Sequence, residues 1–582
     1  MSTLFLSVGT AAEIPDAPVW GPSMFGYRYT GFRPFHRFEA QLADNSIGTM
    51  VWPGGYLAEA RPESYGLDIP GLFAAESGRP GLAEIMAHAQ SIGTGLSIIL
   101  PTARYMGQDD LLRADIRAFM GDLLGGTYGP PPAQMTLEIG SEFFASFVGD
   151  PDAASHYGHI AEIYVSELTA ALGDDALNLI DFDPAIAVQA GRTLDEDMLI
   201  RDELSDGSLL EVDQIIHHRF AFNATGVDGS ADDFHPVIEA WRSDAMALGG
   251  DGPDLFLSAY GVGSYTRAEA LRDFLAADQA AGGSLTEDQI DLAGRSTTEF
   301  ETFWQDQLSL RDYGPEQPRL MLEMLSEYGA EGLSAAAAFG TDMIHPGRLS
   351  LTDVNGVPQD FIGQGMLDML AESVTGTRAL GFGLDNDSGD AVWAYGFENA
   401  DKLIIFLSAG ARPPESLTLD FAGLGTTYSH LAADRLTATI PVDWMERFGL
   451  PDNPDVDETP EAESFAIGQR RAADVDQGAD GLTLQFGTAH EVIRLAFAKT
   501  DAGMQDIAGF SDGPVLALAA PDDADGPDDL PMLPPEEDDD PSDVDPAMAA
   551  PAAWSGGDGG DGGDAISALL LALPLLFLLG GA

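Results

Sequence analysis

Between about residues 20 and 348, short apolar runs alternate with stretches whose apolar residues recur every three or four positions. The runs include "SMFGYRYTGF", "IGTMVWPGG", "GLSIILPTARY", "MTLEIGSEFF", "ALNLIDFD", "VDQIIHHRF", "DLFLSAYGVGS" and "GLSAAAAFG". They lack the polar alternation of a half-solvated sheet, which predicts parallel strands buried on both faces. In the intervening "LLRADIRAFMGDLL", Leu112, Ile116, Phe119 and Leu123 fall on one helical face. Eight such repeats predict an α/β fold of the TIM (β/α)8 type rather than an open doubly wound sheet.

From about residue 375 to 500 the strands lose their intervening helices: "AVWAYGFEN", "KLIIFLSAG", "ESLTLDF" and "EVIRLAFAK" predict a β-sandwich domain. Residues 521–564 carry 15 acidic residues and no basic ones amid Pro, Gly and Ala, too polar to bury a core, so a disordered linker is expected. The chain closes on "AISALLLALPLLFLLGGA", whose apolar part, Ala565 to Leu579, falls short of the roughly 20 residues that span a bilayer. The pattern thus divides the chain into a barrel (1–348), a sandwich (349–505), an acidic linker (506–564) and an apolar anchor or export/sorting tail (565–582).

Charge narrows the function. With 27 basic and 95 acidic residues the net charge is −68, which repels nucleic acid and anionic membranes. Cysteine is absent, which excludes disulfides, thiol catalysis and cysteine-bound metal. No glycine-rich phosphate loop follows a strand, so no nucleotide is expected, nor any cofactor or metal. The N-terminus lacks a basic n-region, so no Sec-type signal is read there. Together with the tail, this points to non-Sec export and an extracellular or cell-surface location. The tail is then the part that would meet export machinery or a membrane. The single "GGDGGD" at 556–561 resembles one calcium-binding repeat of type I secreted proteins, but one copy builds no β-roll.

The candidate chemistry lies in "MTLEIGSEFF". Glu138 and Glu142 end the fourth strand, where a barrel opens its mouth. This run, Glu138-Ile139-Gly140-Ser141-Glu142, resembles the fourth-strand motif of the clan A retaining glycoside hydrolases, in particular the xylosidase/iduronidase-like and heparanase-like families. "MVWPGG" (Met50–Gly55) and "IIHHRF" (Ile215–Phe220) resemble their second and sixth strands. The resemblance implies an O-glycosyl bond, a polysaccharide partner, Glu142 as general acid/base, and Trp52, Ser141, His218, Phe220 and Tyr260 as sugar contacts. Ser141 stands where that family has Asn.

The seventh strand departs from the family. Its nucleophile, a Glu in a Thr-Glu-Tyr motif, falls here on Ser258-Ala259-Tyr260, so Ala259 takes its place. Retaining hydrolysis needs two carboxyls about 5–5.5 Å apart. Substitutes are Glu327 in "MLSEYGAEG" and Asp342 in "FGTDMIH", with Asp181 and Asp183 weaker still. Three readings stay open: a glycosidase-like binding protein or altered enzyme, an active glycosidase with a displaced carboxylate, and a non-catalytic surface or adhesion scaffold.

Overall fold

The computed structural model describes most of residues 3–518. The longer stretches outside the description are 30–46, 60–79, 291–313, 340–348, 382–391, 421–427 and 449–464, save Phe35, Leu67 and Phe303, and everything past 518. Asp342, the acidic linker beyond 518 and the apolar tail therefore lie outside the described residues. No helix among the described residues is long and apolar enough to cross a membrane.

Eight parallel strands close into a barrel: β1 (Phe25–Arg28), β2 (Thr49–Trp52), β3 (Gly95–Leu100), β4 (Met135–Ile139), β5 (Ala185–Gln189), β6 (Gln214–Ala221), β7 (Asp254–Val262) and β8 (Leu333–Ala338). Each pairs with its neighbours in chain order, and β8 returns to β1. Strand alternation sends one set of side chains inward, where Val51, Ile99, Ala187, Ile216, Phe256, Ala335 and Ala337 pack together. The other set, including Ile98, Leu137, Val188 and Leu257, packs outward in the large core it shares with the helices. The helix Asp109–Leu124 buries Leu112, Ile116, Phe119 and Leu123, the face its spacing predicts. At Gly26, any Cβ would lie 2.3 Å from the Thr49 carbonyl oxygen, so β1 can approach β2 this closely only with glycine.

The barrel is followed by antiparallel sheets. Lys402–Ala409 runs near the centre of the larger one, between Val392–Glu398 and Val492–Ala498. It is buried on both faces: Leu403, Ile405 and Leu407 meet the small sheet built around Ser416–Asp420, while Ile404 and Phe406 join the core shared with the barrel.

Three boundaries differ from those read in the sequence. Thr3–Ser7 lies parallel to Ser416–Asp420, and Ala12–Glu13 pairs with Arg378–Gly381, so the start of the chain belongs to the sandwich. The helix Ile362–Val374 follows β8 as the eighth barrel helix, beyond residue 348. At the other end Phe510 is buried and Leu516 pairs with Leu431, so the folded part outruns 505.

A fourth correction concerns "ALNLIDFD". It forms turns, and β5 starts only at Ala185. The Asn178 side chain donates to the carbonyls of Leu172 and Phe182 and accepts from the Phe182 N–H, which offers the backbone a turn instead of a ladder. Asp181 and Asp183 thus precede β5, at the end of the barrel opposite its mouth.

Candidate active site

The inward face of the strands carries the polar groups of the mouth. From β1, Arg28 donates through Nη1 to the Ser258 carbonyl (2.9 Å), Ser258 Oγ (3.1 Å) and Glu138 Oε1 (3.4 Å), and through Nη2 to Ser141 Oγ (3.0 Å). Glu138 is fully buried, yet it also accepts from Ser97 Oγ (3.3 Å) and Ser258 Oγ (3.0 Å). A buried carboxylate is tolerated when a cation and further donors face it.

Past Glu138, β4 leaves extended geometry in two left-handed steps, Gly140 (φ 71°) and Glu142 (φ 55°). A Cβ at Gly140 would come within 2.9–3.1 Å of Thr102 and Tyr157, so packing as well as φ selects glycine there. Glu142 has no such excuse and is held by others: its N–H donates to Gln189 Oε1 (2.6 Å), and its carbonyl accepts from the N–H groups of Ala145 and Ser146. Tyr157 braces the same corner, donating to the Ile139 carbonyl (2.6 Å) and accepting from the Gln189 N–H (2.8 Å). Glu59, after β2, accepts from the N–H groups of Thr102, Ala103 and Ser141 and locks the loop ends together.

These constraints bring Glu142 Oε1 to 2.6 Å from His218 Nδ1, and His218 Nε2 to 2.8 Å from Ser258 Oγ. The Glu142 side chain is 16% exposed and that of His218 only 4%, so the carboxyl is the member that reaches the opening. Burial pushes the Glu142 carboxyl up to about 8 against the opposing charge of Arg28. Burial, with help from Arg28 and against Glu138, pushes His218 down to about 3. The two directions together favour, near neutrality, an uncharged pair in which the carboxyl O–H donates to the imidazole nitrogen. Carboxyl, imidazole and hydroxyl stand in the order of a hydrolase triad. However, Ser258 is fully buried, and its hydroxyl is engaged by Arg28 and Glu138, so it is no nucleophile.

A slip in register decides what faces Glu142. His217 pairs with Leu257 and His218 with Ala259, leaving Ser258 as the extra residue of a bulge. Beyond it the inward and outward positions of β7 exchange. Ala259 and Gly261 share the inward face of His218 and Phe220, their partners on β6, and Tyr260 turns outward. At the mouth, β7 therefore presents a methyl group and a hydrogen. Phe220 stands edge-on to Phe339, ring centroids 5.3 Å apart, on the same side.

The other sequence candidates take different places. His217 faces outward, stacked on Phe234 at 3.8 Å. Tyr260 and Trp52 are buried in the outer core, 1% and 2% exposed, which removes both from the mouth-lining set. Burial pushes the Tyr260 hydroxyl well up, and it has no hydrogen-bond partner among the described residues. Ser141 is turned in to Arg28 and does not offer its hydroxyl to a ligand. Glu327 lies on the helix Gln317–Ala330 and accepts from the Gly229 N–H and the Ser230 hydroxyl, outside the Glu142 chain of contacts. Its oxygens lie within 4.8 Å of those of Asp228 and Glu323, but Arg319 already pairs with Glu323.

Arg28, Glu59, Gln189 and Ser258 escaped the sequence reading. An arginine inside the apolar run "MFGYRY" is as anomalous as Glu138 in "MTLEI", and the two anomalies answer each other. Gln189 carries no motif, and the apolar but exposed Leu179 and Ile180 draw the predicted strand away from it.

No family model matches the chain, and no curated protein matches its sequence. Solved structures do. A family 51 α-L-arabinofuranosidase from Bifidobacterium longum superposes with a TM-score of 0.54 at 13% identity, over 85% of this chain and 100% of that one. An α-L-arabinofuranosidase from Thermotoga maritima, determined as an arabinose complex, gives 0.51 at 12% identity over 85% and 99%. A GH51 arabinofuranosidase from Xanthomonas axonopodis pv. citri gives 0.50 at 13% over 84% and 100%. At these identities the likeness is one of fold: a closed parallel eight-stranded barrel followed by antiparallel sheets.

Proposed function

We propose that this chain is an extracellular glycoside hydrolase-like protein that binds a polysaccharide at its barrel mouth, having lost the nucleophile of the retaining mechanism. The observation that carries this reading is the pairing of a mouth-facing Glu142, whose carboxyl burial pushes up to about 8, with a β7 that offers only Ala259 and Gly261 on the same face. A protonated carboxyl can donate to a glycosidic oxygen, but a methyl group cannot attack the anomeric carbon or offset its developing charge. The fold shared with arabinofuranosidases supports a sugar ligand, and the acidic surface favours neutral over anionic glycans.

A glycan array probed with the full chain and with Glu142→Gln tests it. Both proteins are expected to bind the same neutral glycans, and neither to release reducing sugar from them. Turnover by the wild type that Glu142→Gln abolishes would instead indicate an active glycosidase with a carboxylate elsewhere. Binding by neither protein would indicate a scaffold.

A further inference from the structure

Glu138 on β4 and Glu142, three residues past the end of that strand, are joined through two other side chains. The contacts run Glu142 Oε1 to His218 Nδ1 (2.6 Å), His218 Nε2 to Ser258 Oγ (2.8 Å), and Ser258 Oγ to Glu138 Oε1 (3.0 Å). A neutral imidazole has one N–H and a hydroxyl one O–H to place. With one proton shared between the two carboxyls, only two arrangements give every contact one donor and one acceptor. In the first, Glu142 holds the proton and donates to Nδ1, Nε2–H donates to Ser258, and Ser258 donates to Glu138. In the second, Glu138 holds the proton and donates to Ser258, Ser258 donates to Nε2, and Nδ1–H donates to Glu142.

We propose that Glu138 is the second carboxylate of the site, reached through Ser258 and His218, so that Glu142 can change from proton donor to proton acceptor with the proton stored inside the barrel. The change moves three hydrogens one place each. Each donor bond that breaks is matched by one that forms, and neither charge nor proton is exchanged with solvent. Arg28, 3.1 Å from Ser258 Oγ and 3.4 Å from Glu138, favours the negative charge on Glu138 and makes the first arrangement the resting one. The raised carboxyl of Glu142 and the neutral His218 agree with it. Positive charge developing on a ligand beside Glu142 favours the second. Besides Arg28 and the two chain carboxyls, Glu59 faces this region through the Ser141 N–H, while His217 points away. The use made of the proton rests on the glycan-binding reading, but the chain is testable without any glycan.

The test is nitrogen NMR of the full-length protein labelled with 15N-histidine, with the His218 signals assigned by their loss in His218→Gln. At about pH 6 the Nε2–H tautomer of neutral His218 is expected to dominate. Above the titration of Glu142 the ring is expected to switch to Nδ1–H, with no imidazolium on either side. Ser258→Ala, which cuts the chain and leaves Nε2–H without its acceptor, should shift the tautomer ratio toward Nδ1–H at about pH 6, whereas Ser258→Thr, which keeps the hydroxyl, should retain the wild-type ratio. An imidazolium at about pH 6, one tautomer throughout, or a preference unmoved by Ser258→Ala would overturn the proposal.

Discussion

Ala259→Glu is expected to raise the turnover of at least one aryl glycoside, in a panel that includes arabinofuranosides, from undetectable by roughly two orders of magnitude or more. The expectation follows from the bulge at Ser258, which aims position 259 into the mouth beside His218. The acid is already in place, its carboxyl pushed up by burial and held by Gln189 and His218. A carboxylate opposite it would supply the attacking oxygen and, as a like charge, would raise Glu142 further. Ala259 is 2% exposed, and its inward neighbour on β7 is Gly261, which places no side chain beside it. Adding Glu142→Gln to Ala259→Glu should abolish the gain. A folded, glycan-binding Ala259→Glu with no turnover anywhere in the panel would show that the mouth lacks more than a nucleophile.

Arg28→Met is expected to cost about 3–5 kcal/mol of folding free energy, read as a lowered urea midpoint. Arg28 is 2% exposed and, among the described residues, is the only cation in contact with fully buried Glu138. Its loss leaves that charge unpaired and strips a donor from Ser141 and two from Ser258. Combining it with Glu138→Leu should recover part of the loss, because removing both charges of a buried pair is far cheaper than removing one. Arg28→Lys should not rescue the loss, since a single ammonium cannot span Ser141 and Ser258 as the guanidinium does. A cost below about 1 kcal/mol would place Glu138 in a protonated, self-sufficient state and dismantle the resting arrangement of the proton chain.

The barrel was legible because its strands and helices carry opposite periodicities. Seven of the eight strands lie where their apolar runs predict. The eighth, β5, was misplaced by Leu179 and Ile180, which look like core residues but are 79% and 53% exposed on the Asn178 turn. The N-terminal strands were invisible for a different reason: their pairing with Ser416–Asp420 and Arg378–Gly381 spans most of the chain, and no local pattern encodes it.

Within the site, Glu142 and His218 were legible from motif and strand position, and the structure brings them together. Tyr260 and Trp52 were not, because inward and outward depend on register. The bulge at Ser258 alone carries Tyr260 to the outer face and Ala259 to the inner one. A buried strand carboxylate calls for a cation, and Arg28 stands in an inner-face position beside Glu138.

The claim that the mouth holds an acid without a nucleophile is tested most directly by intact-protein mass spectrometry after incubation with activated 2-deoxy-2-fluoro glycosides, which trap a retaining nucleophile as a glycosyl ester. The wild-type mass is expected to stay unchanged across the panel, and Ala259→Glu to gain one glycosyl group at the substituted position. A glycosyl adduct on a carboxylate of the wild-type chain would contradict the account.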